Sequence, residues 1–123
     1  MRVELQRVGP DQKDILNNLL EKYNYEFLRY DQIPFGPDGL YHYRYLEEYC
    51  TDKSRAAYLV LADGRLAGFA MLCTRPECDR PADYSVAEFF VAYPYRRMGV
   101  GTHVMEQIFE TYKGRWHIKY HPN

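Results

Sequence analysis

The stretch over residues 87–101 constrains the fold of this chain more than any other. An apolar, aromatic and β-branched run at residues 86–92, interrupted only by Glu88, predicts a buried strand. A short basic turn with Pro94 follows, and Gly99 opens a segment whose apolar side chains recur every three or four residues, which predicts a helix. A strand, a glycine-containing basic turn and a helix aim backbone N–H groups and the positive end of a helix dipole at one point. That arrangement suits a phosphate.

Length and charge narrow the class of protein. The 123 residues are enough for one domain but not for two, so residues 1–123 are treated as a single domain. A formal net charge of −1 provides no broad field for nucleic acid or membrane. No apolar run approaches the roughly 20 residues that cross a bilayer, and the alternating N-terminal residues do not read as a signal peptide. We therefore expect a cytoplasmic protein that binds neither nucleic acid nor membrane.

The cysteines and histidines lack the spacing of metal ligands. Cys50, Cys73 and Cys78 are an odd number, without a matching pair of ligands nearby. The pattern predicts reduced thiols, histidines on the surface or hydrogen-bonded, and no metal.

The first half of the chain predicts one strand and two helices. Alternation at residues 3–8 predicts the strand, and Asp11 then serves as an N-cap or first-turn acid for a helix to about residue 29. Prolines and glycines mark residues 31–39 as a loop, and a second helix is predicted at residues 40–49. The core-facing positions of that second helix are Leu40, Tyr43, Leu46 and Tyr49.

The second half predicts a hairpin and a strand–helix–strand unit. Asp63-Gly64 is a two-residue hairpin signal between strands at residues 56–62 and 65–73. After a loop at residues 75–82 come the strand, turn and helix described first, with Gly114 at the C-cap. Alternation at residues 116–120 predicts a last strand, parallel to the one before it. The order is β-α-α-β-β-β-α-β, an α+β fold with α/β-type layers, in which a mixed central sheet has helices on both faces.

The basic glycine turn resembles the pyrophosphate signature of the GNAT acyltransferase superfamily, (Gln or Arg)-x-x-Gly-x-(Gly or Ala). Here the signature reads Arg96-Arg97-Met98-Gly99-Val100-Gly101, between the fourth strand and its helix as in the family. The order of elements matches over residues 1–123 and implies a GNAT-like acyl-CoA N-acyltransferase fold. One departure is that family members continue with a further helix and two strands, so the chain is expected to be C-terminally short. Asn123 lies where a family asparagine follows the fifth strand.

The resemblance implies acetyl-CoA as cosubstrate and assigns its binding residues. The pyrophosphate would bind the backbone of the signature, with charge from Arg96, whereas the side chains of Val100 and Val104 read as core. The alternative interpretation of Arg96 and Arg97 is a solvated basic turn that does not contact phosphate. The pantetheine arm would pair with the backbone of the fourth strand. The implied cofactor-binding residues are Phe90, Val91, Ala92, Arg96, Arg97, Met98, Gly99, Val100, Gly101, Thr102 and Asn123.

Catalytic residues are less well marked than the cofactor site. Glu88 is the carboxylate of the fourth strand and is a candidate general base for the attacking amine. The alternatives are a solvated strand residue or a partner for an arginine. No residue carries over into the general-acid role, and Tyr112, Tyr120 and His121 read as packing or surface residues.

An aromatic stretch in the first half implies an acceptor pocket, by resemblance to the family. Its rings would frame a cationic amine, or about half of them would only cover the sheet. Four acidic residues would attract the ammonium or be solvated. The aromatic residues are Tyr23, Tyr25, Tyr30, Phe35, Tyr41, Tyr43 and Tyr45, and the acids are Asp31, Asp38, Glu47 and Glu48.

Two functions follow from these patterns. The first is an acetyl-CoA-dependent N-acetyltransferase that transfers an acetyl group to a primary amine of a small molecule or peptide. The second is a non-catalytic CoA-binding or protein-interaction domain derived from the same fold. The exposed edge of the last strand predicts a homodimer in either case.

Overall fold

One five-stranded sheet organises the protein, as shown by a computed structural model that describes residues 1–74 and 83–118. The strands lie in the order β1-β2-β3-β4-β5; the first four are antiparallel to their neighbours, and β5 is parallel to β4. This confirms the predicted mixed sheet and α+β fold class. The elements are β1 (Val3–Arg7), α1 (Lys13–Phe27), α2 (Leu46–Thr51), β2 (Arg55–Ala62), β3 (Arg65–Cys73), β4 (Tyr84–Val91), α3 (Val100–Thr111) and β5 (Trp116–Ile118).

Helices cover both faces of the sheet because successive strand side chains point to opposite sides. Leu59 packs with α1 and α2, whereas its neighbour Val60 packs with α3. The two fully buried layers divide accordingly. The first contains Leu16, Leu20, Tyr49, Phe69 and Met71, and the second contains Val60, Leu72, Val100, Val104 and Ile108.

The hairpin between β2 and β3 turns where the sequence predicts it. Asp63 and Gly64 have φ angles of 50° and 80°. Two successive positive φ angles are what a type I′ turn requires, and Asp-Gly supplies them. The Asp63 carboxylate also accepts a hydrogen bond from the backbone N–H of Arg2 at 2.8 Å, which ties the turn to the start of β1.

The second helix is much shorter than predicted. The sequence pattern places it at residues 40–49, but α2 spans only Leu46–Thr51. The backbone N–H groups of Tyr41 and His42 donate to the two carboxylate oxygens of Glu21 on α1, at 2.7 and 2.9 Å, and His42 has a φ angle of 59°. These amides are therefore bound by a side chain instead of by helical carbonyls. Leu40, predicted in the core, is exposed.

Helix ends also differ from the predictions. The 3₁₀ turn at Pro10–Gln12 carries Asp11 as a first-turn acid without a side-chain cap. The predicted C-cap at Gly114 is wrong, because α3 ends at Thr111 and Tyr112 caps it. Gly114 instead allows a close approach: a Cβ there would lie 2.7 Å from an Asp83 carboxylate oxygen. The predicted loop at residues 75–82 and the end of the last strand, Lys119 and Tyr120, lie outside the described residues.

Candidate active site

The turn between β4 and α3 presents an uncapped helix start to solvent. Arg97 and Gly99 have left-handed φ angles of 65° and 78°, and Gly99 is the N-cap of α3 with no side-chain hydrogen bond to the cap. The first N–H groups of a helix have no partner within the helix. The backbone amides of Val100, Gly101 and Thr102, together with the helix dipole, are therefore oriented to bind an anion.

The two signature glycines serve different purposes. Gly99 has the left-handed conformation that favours glycine, although a Cβ there would meet nothing within 4 Å. Gly101 lies in the helix, and a Cβ would only touch the Phe89 ring at 3.8 Å, which is an ordinary contact. Val100 and Val104 are buried, which confirms the prediction that their side chains pack in the core.

The guanidinium of Arg96 connects the turn to α1. It forms a bidentate pair with the Glu26 carboxylate, at 2.8 Å from Nη1 and 3.0 Å from Nη2. Its Nε donates to the carbonyl oxygen of Val91 at 2.7 Å. The side chain predicted to contact phosphate is therefore held between α1 and the end of β4 in this structure.

Among residues 1–74 and 83–118, no strand pairs with the outer edge of β4 beyond residue 86, the side on which this guanidinium lies. β5 pairs with residues 84–86 of β4. The Ala92 N–H donates to the Ala67 carbonyl at 2.6 Å, and the Phe90 carbonyl faces Gly68 so closely that a Cβ there would be 1.9 Å from its oxygen. Because alternate strand residues direct their backbone groups to opposite sides, Phe90 and Ala92 face β3 and Val91 faces the outer edge. Among the three residues predicted to bind pantetheine, Val91 alone presents its polar backbone there.

A bulge in β4 sets the direction of Glu88. Met71 pairs with Glu88 and Leu72 pairs with Val86, which leaves Ala87 as the extra residue. A bulge reverses the side-chain alternation beyond it. It therefore directs Glu88 to the face that α1 covers, where the Tyr23 hydroxyl donates to Glu88 Oε1 at 3.3 Å. Glu88 is partly buried and its carboxylate contacts a tyrosine on the interior face, so it is not a residue of the solvated face.

Tyr23 and Tyr43 supply a protonated, partly apolar environment for Glu88. Burial, followed by the charge of Glu88, raises the pKa of each phenol above its usual value. Both hydroxyls therefore remain protonated at neutral pH, and a hydrogen bond donated to a carboxylate stabilises its ionised form. The Tyr23 ring is held by Phe27 and Phe69, with ring centroids 5.3 and 5.5 Å away.

A groove of about 710 Å³ opens between α1, the following loop and the turn after β4. Its lining residues are Lys22, Tyr25, Glu26, Arg29, Ile33, Pro34, Phe35, Tyr41, Tyr93 and Arg96. Three members of the predicted aromatic wall, Tyr25, Phe35 and Tyr41, thus line it, whereas Tyr23 and Tyr43 lie beside Glu88.

The acids predicted to attract an ammonium do not line this groove. Asp38 pairs with His42, and the Glu47 carboxylate binds Lys13 Nζ at 2.6 Å. Their hydrogen bond lowers the pKa of the Asp38 carboxyl and raises the pKa of the His42 imidazole. The acid among the lining residues is Glu26, which no sequence pattern marks.

A sequence model of the acetyltransferase (GNAT) family matches residues 16–121. This is most of the chain, and it includes β4 and the signature at residues 96–101. The chain belongs to the GNAT family. The match confirms the expected GNAT fold and the assignment to an acyltransferase of the N-acetyltransferase type.

Solved structures support the GNAT fold. An aminoglycoside acetyltransferase from an uncultured soil metagenomic sample superposes with a TM-score of 0.67 at 15% identity, over 100% of this chain and 82% of that one. Ribosomal-protein-alanine N-acetyltransferase from Brucella melitensis biovar Abortus 2308 superposes with a TM-score of 0.65 at 20% identity, over 99% of this chain and 82% of that one. AAC(6')-Iy was solved in complex with the bisubstrate analogue CoA-S-monomethyl-acetylneamine. It superposes with a TM-score of 0.62 at 21% identity, over 100% of this chain and 82% of that one. At these identities the likeness establishes the fold alone. No curated protein sequence matches the chain.

Tyr112 takes no part in the Glu88 site of this GNAT domain. It lies on the α3 side of the sheet, where its hydroxyl bonds the Tyr58 hydroxyl at 2.5 Å and its ring packs against Trp116. Burial, followed by that hydrogen bond, raises the pKa of Tyr112 to about 12. These contacts agree with the packing role expected for it. Tyr120, His121 and Asn123 lie outside the described residues.

Metal and membrane features complete the description of the GNAT domain. Within residues 1–74 and 83–118, no three His, Cys, Asp or Glu side chains are grouped so as to hold a metal ion. Cys50 and Cys73 are free thiols. No helix in that part of the chain has the length and apolar character needed to cross a membrane.

Proposed function

We propose that this GNAT protein is an acetyl-CoA-dependent N-acetyltransferase that acts on a primary amine of a small molecule or peptide. The observation that supports the proposal is that α3 begins beside the outer edge of β4. Its N-cap, Gly99, has a left-handed backbone conformation and no side-chain cap. A CoA thioester needs an anion site for its pyrophosphate and a strand edge for its amide-containing arm. A structural neighbour with 21% identity binds a CoA bisubstrate analogue, which is consistent with this use of the fold.

The chain would bind acetyl-CoA mainly through its backbone. The amides of Val100, Gly101 and Thr102 receive the pyrophosphate, because they open α3 and follow the left-handed residues Arg97 and Gly99. Val91 offers its backbone groups to the pantetheine arm. The Val91 carbonyl accepts a hydrogen bond from Arg96. We therefore propose that Arg96 releases the Val91 carbonyl and the Glu26 carboxylate and binds the phosphates when the cosubstrate enters.

The reaction is a direct acyl transfer. The neutral amine nitrogen forms a bond to the thioester carbonyl carbon, the carbon–sulfur bond breaks, and CoA leaves as a thiolate that takes a proton from solvent. A backbone N–H at the β4 edge stabilises the oxyanion of the intermediate. The proton lost by the amine passes to Glu88 through water, because Glu88 does not itself line the groove.

The test is release of CoA thiol with a panel of amines, checked by the mass of the acetylated product. We expect turnover that depends on both substrates and falls at least 100-fold in Glu88→Gln, the range that general bases contribute. Binding of acetyl-CoA without release of CoA by any amine would favour the non-catalytic alternative. Full turnover in Glu88→Gln would leave Glu88 as a structural residue.

A cytoplasmic location and a homodimer are further parts of the proposal. The dimer would form through the edge of β5, and light scattering at high protein concentration tests it. A stable monomer under those conditions would contradict it.

A further inference from the structure

The groove beside Arg96 is positively charged once its ion pair is counted. Among its lining residues are three cations, Lys22, Arg29 and Arg96, and one carboxylate, Glu26. The bidentate contact between Glu26 and Arg96 cancels one charge of each sign. Lys22 and Arg29 remain in the lining. They still outnumber Glu26 when Arg96 leaves that carboxylate for the phosphates of the cosubstrate, as proposed above.

The hydrogen-bond partners of these two cations are neutral. Lys22 Nζ donates to the Asn18 carbonyl oxygen at 3.4 Å, and Arg29 Nη2 donates to the Tyr30 hydroxyl at 2.7 Å. Lys22 and Glu26 lie on α1, and Arg29 lies in the turn that follows the end of α1 at Phe27. An anionic group entering the groove would meet two cations and one carboxylate, Glu26, whose charge acts on Arg29 but whose ion pair is with Arg96.

The walls of the groove are aromatic and face solvent. The rings of Tyr25, Phe35 and Tyr93 are 66%, 51% and 83% exposed, respectively. Large exposed rings gathered in one concave site are typical of ligand-binding surfaces. The groove therefore fits a molecule with an apolar body and an anionic group.

From these charges and rings we infer that the acceptor is an amine that also bears a carboxylate, as a free amino acid or a short peptide does. This inference rests on the proposed acetyltransferase function and names its substrate class. A polycationic acceptor would be repelled by Lys22 and Arg29. The aminoglycoside acetyltransferases among the structural neighbours would accordingly differ from this chain in their acceptor.

The experiment compares phenylalanine with phenethylamine, which share the amine and the ring and differ in the carboxylate. With acetyl-CoA saturating, we expect kcat/KM for CoA release to be at least ten-fold higher for phenylalanine, and neamine to be the poorest of the three. Arg29→Glu and Lys22→Glu should each reduce or abolish that preference by raising KM for phenylalanine. Arg65→Glu, a charge reversal of an exposed residue at the β2–β3 hairpin, is the matched control and should leave the preference unchanged.

The outcomes separate this inference from the proposed function. A preference for phenethylamine or neamine overturns the inference. It is also overturned if Arg29→Glu and Lys22→Glu raise only the KM for acetyl-CoA, because the two cations would then bind the phosphates of the cosubstrate. If no amine turns over, a titration of the protein–CoA complex with the same two ligands, followed by NMR, decides the matter. Phenylalanine binding that is weakened by Arg29→Glu would support the groove without catalysis, and equal binding or no binding of the two ligands would overturn it.

Discussion

The hydroxyl of Tyr23 on α1 donates a hydrogen bond to Oε1 of Glu88 on β4, at 3.3 Å. The contact joins residues 65 positions apart and depends on the bulge that directs Glu88 to the α1 face. It connects helix packing with the proposed proton transfer, because Tyr23 is fixed by Phe27 and Phe69 and in turn orients the carboxylate.

Tyr23→Phe should change the pH dependence of the reaction. The donated hydrogen bond stabilises the ionised carboxylate of Glu88, so its removal should move the acidic limb of kcat/KM to higher pH. Activity should therefore fall on the acidic side of the limb and change little on the alkaline side. Tyr58→Phe is the control, since it removes a tyrosine hydroxyl on the α3 side of the sheet. An unmoved limb in Tyr23→Phe would mean that Tyr23 does not act through Glu88.

The Arg96–Glu26 pair leads to a charge-swap experiment. Arg96→Glu should nearly abolish acetyl-CoA binding, because it places a second carboxylate beside Glu26 and near the proposed phosphates. The double variant Glu26→Arg with Arg96→Glu restores an ion pair of the opposite orientation. If Arg96 contacts phosphate, as proposed, the swap will not restore affinity in a calorimetric titration. Recovery to within about three-fold of the parent would show that Arg96 only fastens the turn to α1.

Gly68 should be intolerant of even a methyl group. A Cβ there would lie 1.9 Å from the Phe90 carbonyl oxygen, so β3 and β4 would have to separate. Gly68→Ala is expected to lower the free energy of unfolding by about 3 kcal/mol in urea denaturation. Gly101→Ala, where the nearest contact would be 3.8 Å, is the matched control and should raise it by about 0.5 kcal/mol through helix propensity. Equal effects in the two variants would contradict the close approach of the strands.

Buried tyrosines predict a loss of stability at alkaline pH. Burial, then the neighbouring Tyr43, raises the pKa of the Tyr49 phenol above its unfolded value of 10.0. A raised folded pKa stabilises the protein fully below pH 10, and the contribution is lost as the pH rises toward the folded value. The free energy of unfolding should therefore be flat from pH 7 to 9 and fall above pH 10, by up to about 1.4 kcal/mol per pH unit for each such tyrosine. Tyr49→Phe should make that fall shallower, whereas Tyr93→Phe, at an exposed ring, should not.

Local patterns in the sequence predicted most of the fold. Asp63-Gly64 forms the hairpin through its own backbone preferences. In the same way, Gly99 marks the start of α3. The second helix was misplaced because its first residues bind Glu21, which lies 20 positions earlier in the chain. A propensity reading has no access to such a contact.

The site was predictable where it depends on backbone and not where it depends on distant side chains. The signature predicts a phosphate site at residues 96–101, but the Arg96 partner, Glu26, lies 70 positions away. The bulge at Ala87 has no sequence signal in this chain, so the face of Glu88 and its contact with Tyr23 required the structure. The positive charge of the groove likewise depends on which acids pair elsewhere.

The central claim, that the start of α3 is a CoA pyrophosphate cradle, is tested most directly by thermal unfolding with acetyl-CoA. Binding to the folded state should raise the midpoint by about 10 °C at a ligand concentration 100-fold above Kd. The same rise is expected in Gly101→Ala, and most of it should be lost in Gly99→Val, where a β-branched side chain is forced into a left-handed conformation. If millimolar acetyl-CoA does not raise the unfolding midpoint, the cradle is contradicted. It is also contradicted if the midpoints of Gly99→Val and Arg96→Glu rise as much as that of the parent protein.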